Sequence, residues 1–483
     1  LITGLSAALL VVAGARLGRR LDAGLLAAGA FVLLPRVAFH GGLAAFDVPV
    51  AVAILAVVLA YRRGLTDPRW GLAVGPLLGL AIACKHNALF VAPLLAVHLW
   101  ACVAWARLRG SSRGPWLPCA LPVALWSAAI TAPLTAWLTW PWLWRDTWAR
   151  LGQYAQFHRE HSYYNMEYLG QNWNVPPLPV SYPFVTMAAT VPATVLALGA
   201  LGFAIAWVRT LRHTRAAELA APTPAPASPA TGATHAPPPV AARDGDAAAA
   251  ARADAAPGFW RPLAPSDDPL DGLLLLLFGL TPLVLIALPS VPIFGGTKHF
   301  ITAYPFWALA AALAWGWMWT DERAPAAAGG GAVRPRPWAP AIGLALVLAP
   351  AAWATAHGHP YNLSQYAPLV GGARGAADLG LGRGFWGYAA PALLEELQPL
   401  EPGGTLEIHD MHPLAQEQYA REGRWPPAWR PGPRARARAG LLFHERHMAI
   451  DEIALWERLG TAAPAAVITL DDVPLTSLYV SPP

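Results

Sequence analysis

Hydrophobic and polar positions alternate along this chain on the scale of whole helices. Ten apolar stretches stand out, at residues 1–15, 21–38, 48–61, 70–83, 88–106, 117–140, 182–208, 270–288, 300–319 and 338–356. Each predicts a helix, and a membrane span takes about 20 such residues. The third and fourth are short for a span and need their flanks or a shared tilt. Basic residues sort by connection. Alternate connections hold Arg16, Arg19 and Arg20, then Arg62, Arg63 and Arg69, then Arg107, Arg109 and Arg113, then Arg209, Arg212 and Arg215, then Arg323, Arg334 and Arg336. The intervening ones hold Arg36 and Lys85, then Arg145, Arg150 and Arg159, then Lys298. Cytoplasmic loops collect arginine and lysine, so the first set is expected inside, and everything after residue 356 outside.

Three stretches are not spans. Residues 144–181 form an outer loop, in which Trp148, Leu151, Tyr154 and Phe157 recur at helical spacing and predict an interfacial amphipathic helix. Residues 214–268 are rich in alanine and proline and predict a disordered cytoplasmic linker. Residues 357–483 read as a small α/β domain, with strands expected at 406–409 and 465–470 and helices at 393–397 and 450–459. The expected fold is an α-helical polytopic membrane protein of about ten spans with a C-terminal extracytoplasmic α/β domain. Its parts are a transmembrane core at 1–213, the linker at 214–268, further spans at 269–356 and the outer domain at 357–483. No internal repeat is visible. The chain opens on Leu1 inside an apolar run, and reads as lacking its natural beginning.

Composition sharpens this. Only 13% of the 483 residues are charged and 55% are hydrophobic, a balance that would leave an ordinary soluble globule with far too much apolar surface. The net charge of +5 is small and sorted by loop, which argues against a nucleic-acid partner. Cys84, Cys102 and Cys119 sit in or beside apolar runs, so neither a disulfide framework nor a zinc site is expected. The 23 tryptophans suit bilayer interfaces. Among 34 basic side chains, Lys85 and Lys298 are the two lysines.

Both lysines fall in outer connections, against the charge bias, and each is followed by histidine: Lys85-His86-Asn87 and Lys298-His299-Phe300. A cation kept where topology disfavours it calls for a partner, and a phosphate is a natural one for an ammonium. Around them lie His40, Asp47-Val48-Pro49, and the third outer loop with His158, His161, Tyr163, Tyr164, Glu167 and Tyr168. Each has a plainer reading. Asp47 precedes a helix with Pro49 in its first turn and could simply cap it. The lysines could snorkel to the headgroups, the histidines could be interfacial hydrogen-bonders, and the tyrosines belt residues. His409, Asp410 and His412 resemble metal ligands but sit at a strand-to-helix turn, where capping is the ordinary role.

Taken in order, Pro35-Arg36, His40, Asp47-Val48-Pro49 and Tyr61-Arg62-Arg63 resemble the family-39 glycosyltransferases of the GT-C superfamily, relatives of protein O-mannosyltransferases and of the lipid A aminoarabinose transferase. Gly79-Leu80-Ala81 with Lys85-His86-Asn87, Tyr168-Leu169-Gly170, Pro176-Pro177-Leu178-Pro179, Gly295-Gly296-Thr297-Lys298-His299 and Tyr361-Asn362 with Val370-Gly371-Gly372 extend the resemblance over most of residues 1–376. It implies transfer of a sugar from a polyprenyl-phosphate donor to an acceptor hydroxyl or amine at the outer face of the inner membrane. By this likeness Asp47 would organise the acceptor or a divalent metal ion and count as catalytic. Lys85 and Lys298 would bind donor phosphate, and His40, His86, Tyr168 and His299 would line the site. The family carries an acidic residue in its first outer loop that is generally taken as the base, and by this likeness that loop would precede Leu1. The alternative from another class is a transporter or flippase for an anionic or lipid-linked solute, which calls for polar groups at the bilayer midplane rather than at outer boundaries. A third reading is a catalytically dead structural subunit.

Overall fold

The computed structural model describes residues 1–108, 122–219, 271–293, 295–319, 338–400, 403–409 and 411–482. It is mostly helical, with a small sheet near the C-terminus. The helices are α1 (Ile2–Gly18), α2 (Leu21–Val32), α3 (Pro35–Gly42), α4 (Asp47–Gly64), α5 (Pro68–Cys84), α6 (Val91–Leu108), α7 (Val123–Thr139), α8 (Thr147–Arg159), α9 (Tyr182–Thr190), α10 (Ala193–Leu219), α11 (Asp271–Ile286), α12 (Tyr304–Trp319) and α13 (Ala339–Gly358). They share one continuous core of alanine, leucine, valine and phenylalanine.

Among the described residues three stretches are long and apolar enough to cross a membrane: His86–Ala104, Ala193–Leu211 and Ala339–Gly358. A fourth arises if α2 and α3, bent by 69° at Pro35, count as one broken span. This corrects the expected ten. Four other apolar helices, α1, α5, α7 and α11, have 16 or 17 residues. At 1.5 Å per residue they reach only about 26 Å, short of a hydrocarbon layer of about 30 Å. The apolar pattern ran on through breaks that it could not show. The expected linker begins at 214, yet residues 214–219 continue α10; the rest of it lies outside the described residues. Bundle helices also present large apolar side chains outward, such as Trp126, Ile130 and Leu134 on α7 and Ile342, Leu346 and Trp353 on α13. Such faces are compatible with a lipid surround.

The tightest helix pairing, α5 against α7, follows from a stripe of Gly71, Gly75 and Gly79 one turn apart. A Cβ at Gly75 would lie 1.9 Å from Thr131 Oγ1, and one at Gly79 2.5 Å from the Ala132 carbonyl. Small residues let the backbones close in. Pro76 has no N–H for the Leu72 carbonyl, four residues back. Ser127 Oγ donates to that carbonyl instead, at 2.8 Å.

Between α8 and α9 runs a short hairpin, β1 (Met166–Tyr168) and β2 (Gln171–Trp173). Leu169 and Gly170 form its tip at φ 49° and 72°, the left-handed pair that a two-residue hairpin turn requires. α14 (Gly372–Asp378) and α15 (Pro391–Leu394) lead into the terminal sheet. Its strands are β3 (Gly404–Ile408), β4 (Trp429–Pro431), β5 (Ala437–Phe443), β6 (Ala466–Leu470) and β7 (Val473–Val480), in the order β4-β3-β5-β7-β6. β3 runs parallel to both neighbours, while β5, β7 and β6 pair antiparallel. α16 (Pro413–Arg421) and α17 (Ala449–Leu459) complete the unit, which has its own core around Leu406, Leu441, Leu455 and Leu478.

Candidate functional site

Pro35 starts the construction. Leu34, before it, is extended at φ −73° and ψ 127°, so α2 ends and α3 leaves at a sharp angle. That turn carries His40 into the protein, where it is fully buried. α4 then begins with Asp47, which is only 5% exposed. Its carboxylate makes no cap bond. Oδ1 accepts from Lys85 Nζ at 2.7 Å, and Oδ2 lies 3.4 Å from His40 Nδ1, close but poorly aligned for a hydrogen bond. Lys85 arrives because α5 stops at Cys84: residue 85 is extended at φ −159°, and a short 3-10 turn, His86–Phe90, precedes α6.

Lys298 comes from the turn Gly296–His299, between α11 and α12. It is 6% exposed. Its Nζ lies 4.0 Å from the centroid of the Trp386 ring and 5.6 Å from that of Phe385. Both rings also meet His40, at centroid distances of 6.2 and 6.4 Å. Trp386 holds its position at φ 66°, a left-handed conformation costing a bulky residue about 1–3 kcal/mol. Burial pulls the Lys298 ammonium down to about 7; the charge of Asp47 opposes that fall and the charge of Lys85 adds to it. The structure therefore brings His40, Asp47, Lys85 and Lys298 together at one end of the bundle.

Gly295 and Gly296 take φ 77° and 65°. A Cβ on Gly295 would lie 2.6 Å from Lys298 Nζ, and one on Gly296 3.1 Å from Arg36 Nη1. Two cations thus flank one diglycine turn. Arg36, on the first turn of α3, is the residue that reading the sequence missed. It is 5% exposed, and its Nε and Nη2 have no hydrogen-bond partner among the described residues. Tyr366 covers its guanidinium at 4.8 Å. A buried guanidinium with nitrogens unpartnered among the described residues is costly to hold. Arg36 lines a cavity of about 60 Å³ together with Tyr168, Tyr182, Gly296, Phe385 and Glu167. Its signal in the sequence is an arginine on the arginine-poor side of the chain.

The other expected residues stand as follows. Tyr168 is buried and its hydroxyl meets Ser181 Oγ at 2.8 Å. His86 packs against His158 with ring centroids 3.8 Å apart and planes tilted by 35°, in a cluster with Tyr154 on α8, so its ring meets His158 rather than His40. His299 is half-buried on the Lys298 turn. His412 caps α16, its Nδ1 accepting from the Leu414 N–H at 3.2 Å; Asp410 lies outside the described residues. The helix expected from Trp148 to Phe157 is α8, with Trp148 and Phe157 exposed.

A divalent metal fits poorly. Among the described residues no group of three histidine, cysteine or carboxylate side chains could hold one. Asp47 also shares its carboxylate with an ammonium, which would compete with a metal and repel it. Comparison with protein-family models, curated proteins and solved structures gives no match.

Proposed function

We propose that this chain is an integral-membrane glycosyltransferase that moves a sugar from a polyprenyl-phosphate donor to an acceptor at the outer face of a bacterial inner membrane. The observation carrying this reading is the convergence of Arg36 and Asp47, Lys85, and Lys298, from three separate stretches of the chain, on one largely buried and cation-rich site. The family resemblance of the sequence points the same way.

The chemistry suits the reaction. As the bond from sugar to phosphate breaks, positive charge builds on the ring and negative charge on the leaving phosphate. Cations fixed in a site poor in water stabilise that phosphate as its charge grows. Lys298 and Arg36 offer donors beside the diglycine turn. Asp47 holds the Lys85 ammonium in place and offsets part of the local positive charge. The apolar outer faces of the bundle suit a lipid-linked donor that approaches through the bilayer. Polar groups at helix ends rather than mid-helix favour this reading over a transporter.

The test is sugar transfer from polyprenyl-phosphate donors by Lys85→Met and Lys298→Met. With donor below saturation, each should lose roughly 10- to 100-fold in rate, the effect of one charge-assisted hydrogen bond of about 1.5–3 kcal/mol, while the fold persists. Arginine need not rescue, since its planar fork presents donors differently. Unchanged rates in both variants contradict the reading.

A further inference from the structure

The Lys298 ammonium, offered above as a ligand for donor phosphate, is walled in. The residue is 6% exposed. The backbone of its own turn lies so close that a Cβ on Gly295 would come within 2.6 Å of Nζ. Trp386 covers Nζ with its ring centroid 4.0 Å away, and Phe385 stands at 5.6 Å. So little exposure leaves no opening for a phosphate group, and a covering side chain has to move before one can bind.

Trp386 is the cover set up to move. The chain on either side of it is tied down. Tyr366 Oη donates to the Gly382 carbonyl at 2.7 Å, Ser364 Oγ donates to the Arg383 carbonyl, and Arg383 Nη1 donates to the Pro474 carbonyl at 3.2 Å. Past the crest, Tyr388 shares a hydrogen bond with Ser364 and packs edge-on against Phe39. Gly387, at φ 58°, lies so close to Phe443 on β5 that a Cβ would fall 2.5 Å from the ring. Phe385 lies deeper, half-buried beside the Arg36 cavity. Trp386 stands between these ties, 43% exposed and at the unfavourable φ of 66°. That strain opposes the cation–π attraction to Lys298 and is of the same order, so the ring is held on the ammonium only weakly.

We infer that Trp386 is a positioning residue that gates the donor site: in the free protein its indole occupies the face of Lys298 that the donor phosphate takes, and the arriving phosphate displaces it toward solvent. The inference rests on the glycosyltransferase reading above, and the residue acts through Lys298 rather than on the reacting atoms. The gate has a distinctive sign. Removing a side chain that holds a ligand weakens binding. Removing one that occupies the ligand's place strengthens it, because a site open for only a fraction of the time has its affinity reduced by that fraction. A cation–π contact of ordinary strength makes that reduction roughly 3- to 30-fold. The gate also acts on titration. Burial pulls the Lys298 ammonium down, the charge of Asp47 raises it and that of Lys85 lowers it. Arg36 and the His40 ring flank the same site. Taking the indole away lets water reach Nζ, so the charged form persists to higher pH.

The experiment measures equilibrium binding by the full chain in lipid nanodiscs. Its probe is polyprenyl methyl phosphate, a phosphodiester that does not titrate between about pH 5 and 9 and has no sugar to lose. At about pH 6, Trp386→Ala and Trp386→Gly should each bind the probe roughly 3- to 30-fold more tightly than wild type. Glycine suits the left-handed backbone, which keeps a folded variant in hand. In both variants the alkaline fall in affinity should move to higher pH. In a Lys298→Met background neither substitution should add affinity. Affinity at or below wild type in both variants, an unshifted pH profile, or a gain that survives in Lys298→Met overturns the gate. Wild type and variants that all fail to bind the probe bring down the donor-site reading, and this inference with it.

Discussion

Single residues carry the electrostatic argument, and Arg36 carries it furthest. Its buried guanidinium has two nitrogens without partners among the described residues and sits beside a cavity. Arg36→Gln should remove the anion site and with it roughly 10- to 100-fold of the affinity for polyprenyl phosphate. Its melting temperature without ligand should stay level or rise, because the variant no longer buries an uncompensated charge. Calorimetric binding and a melting curve on the same sample check both. Lys298 adds a pH dependence. Burial sets its ammonium at about 7 in the free site, and a bound phosphate favours the charged form. Affinity for a polyprenyl-phosphate sugar, whose phosphodiester does not titrate in this range, should then be flat below about pH 6 and fall as pH rises above 7, approaching tenfold per unit, with proton uptake on binding. Lys298→Met should flatten that profile. The lysines, His40 and Asp47 were legible in the sequence because polar residues beside apolar runs stand out. Phe385 and Trp386 were not, since nothing local ties residues in the terminal region to a lysine nearly ninety positions earlier.

At the scale of elements, the sequence shows where helices are apolar but not where they break. Pro35 and the Lys85-His86 turn cut the pattern into shorter pieces, and these breaks deliver His40 and Lys85 to the site. Register is similarly hidden in a strand of three residues. Only the hairpin shows that Tyr168 faces the bundle while Glu167 faces the outer domain. The α5–α7 contact is where an element can be tested. Gly75→Ala forces a methyl group to 1.9 Å from Thr131 Oγ1 and 2.1 Å from the Ser127 carbonyl. It should destabilise the bundle by about 1–3 kcal/mol. Ser127→Ala leaves the Leu72 carbonyl above Pro76 without its donor, and should cost about 1 kcal/mol. Both are read from denaturant midpoints in detergent. Because α5 leads directly into Lys85, Gly75→Ala should also weaken donor binding, whereas a surface substitution such as Leu414→Gln on α16 should not.

The whole molecule joins two cores through a narrow set of contacts. Ala373, Leu470, Val473 and Leu475 form a small apolar patch between them. His357 at the end of α13 meets Asp471 at 2.7 Å, and Arg374 pairs with Asp472. Beside this junction the loop with Phe385 and Trp386 reaches back to Lys298, so the terminal part of the chain helps to build the site in the bundle. That dependence was invisible in a reading that treated 357–483 as a separate outer domain. The central claim is that this assembled site binds and cleaves a lipid-linked sugar phosphate. Its most direct test is release or transfer of radiolabelled sugar from defined polyprenyl-phosphate donors, with the full chain in nanodiscs, comparing wild type with Lys298→Met. The account predicts turnover of at least one donor by wild type and a drop of roughly 10- to 100-fold in the variant. Equal rates in the two proteins, or no turnover of any donor by folded wild type, would contradict it.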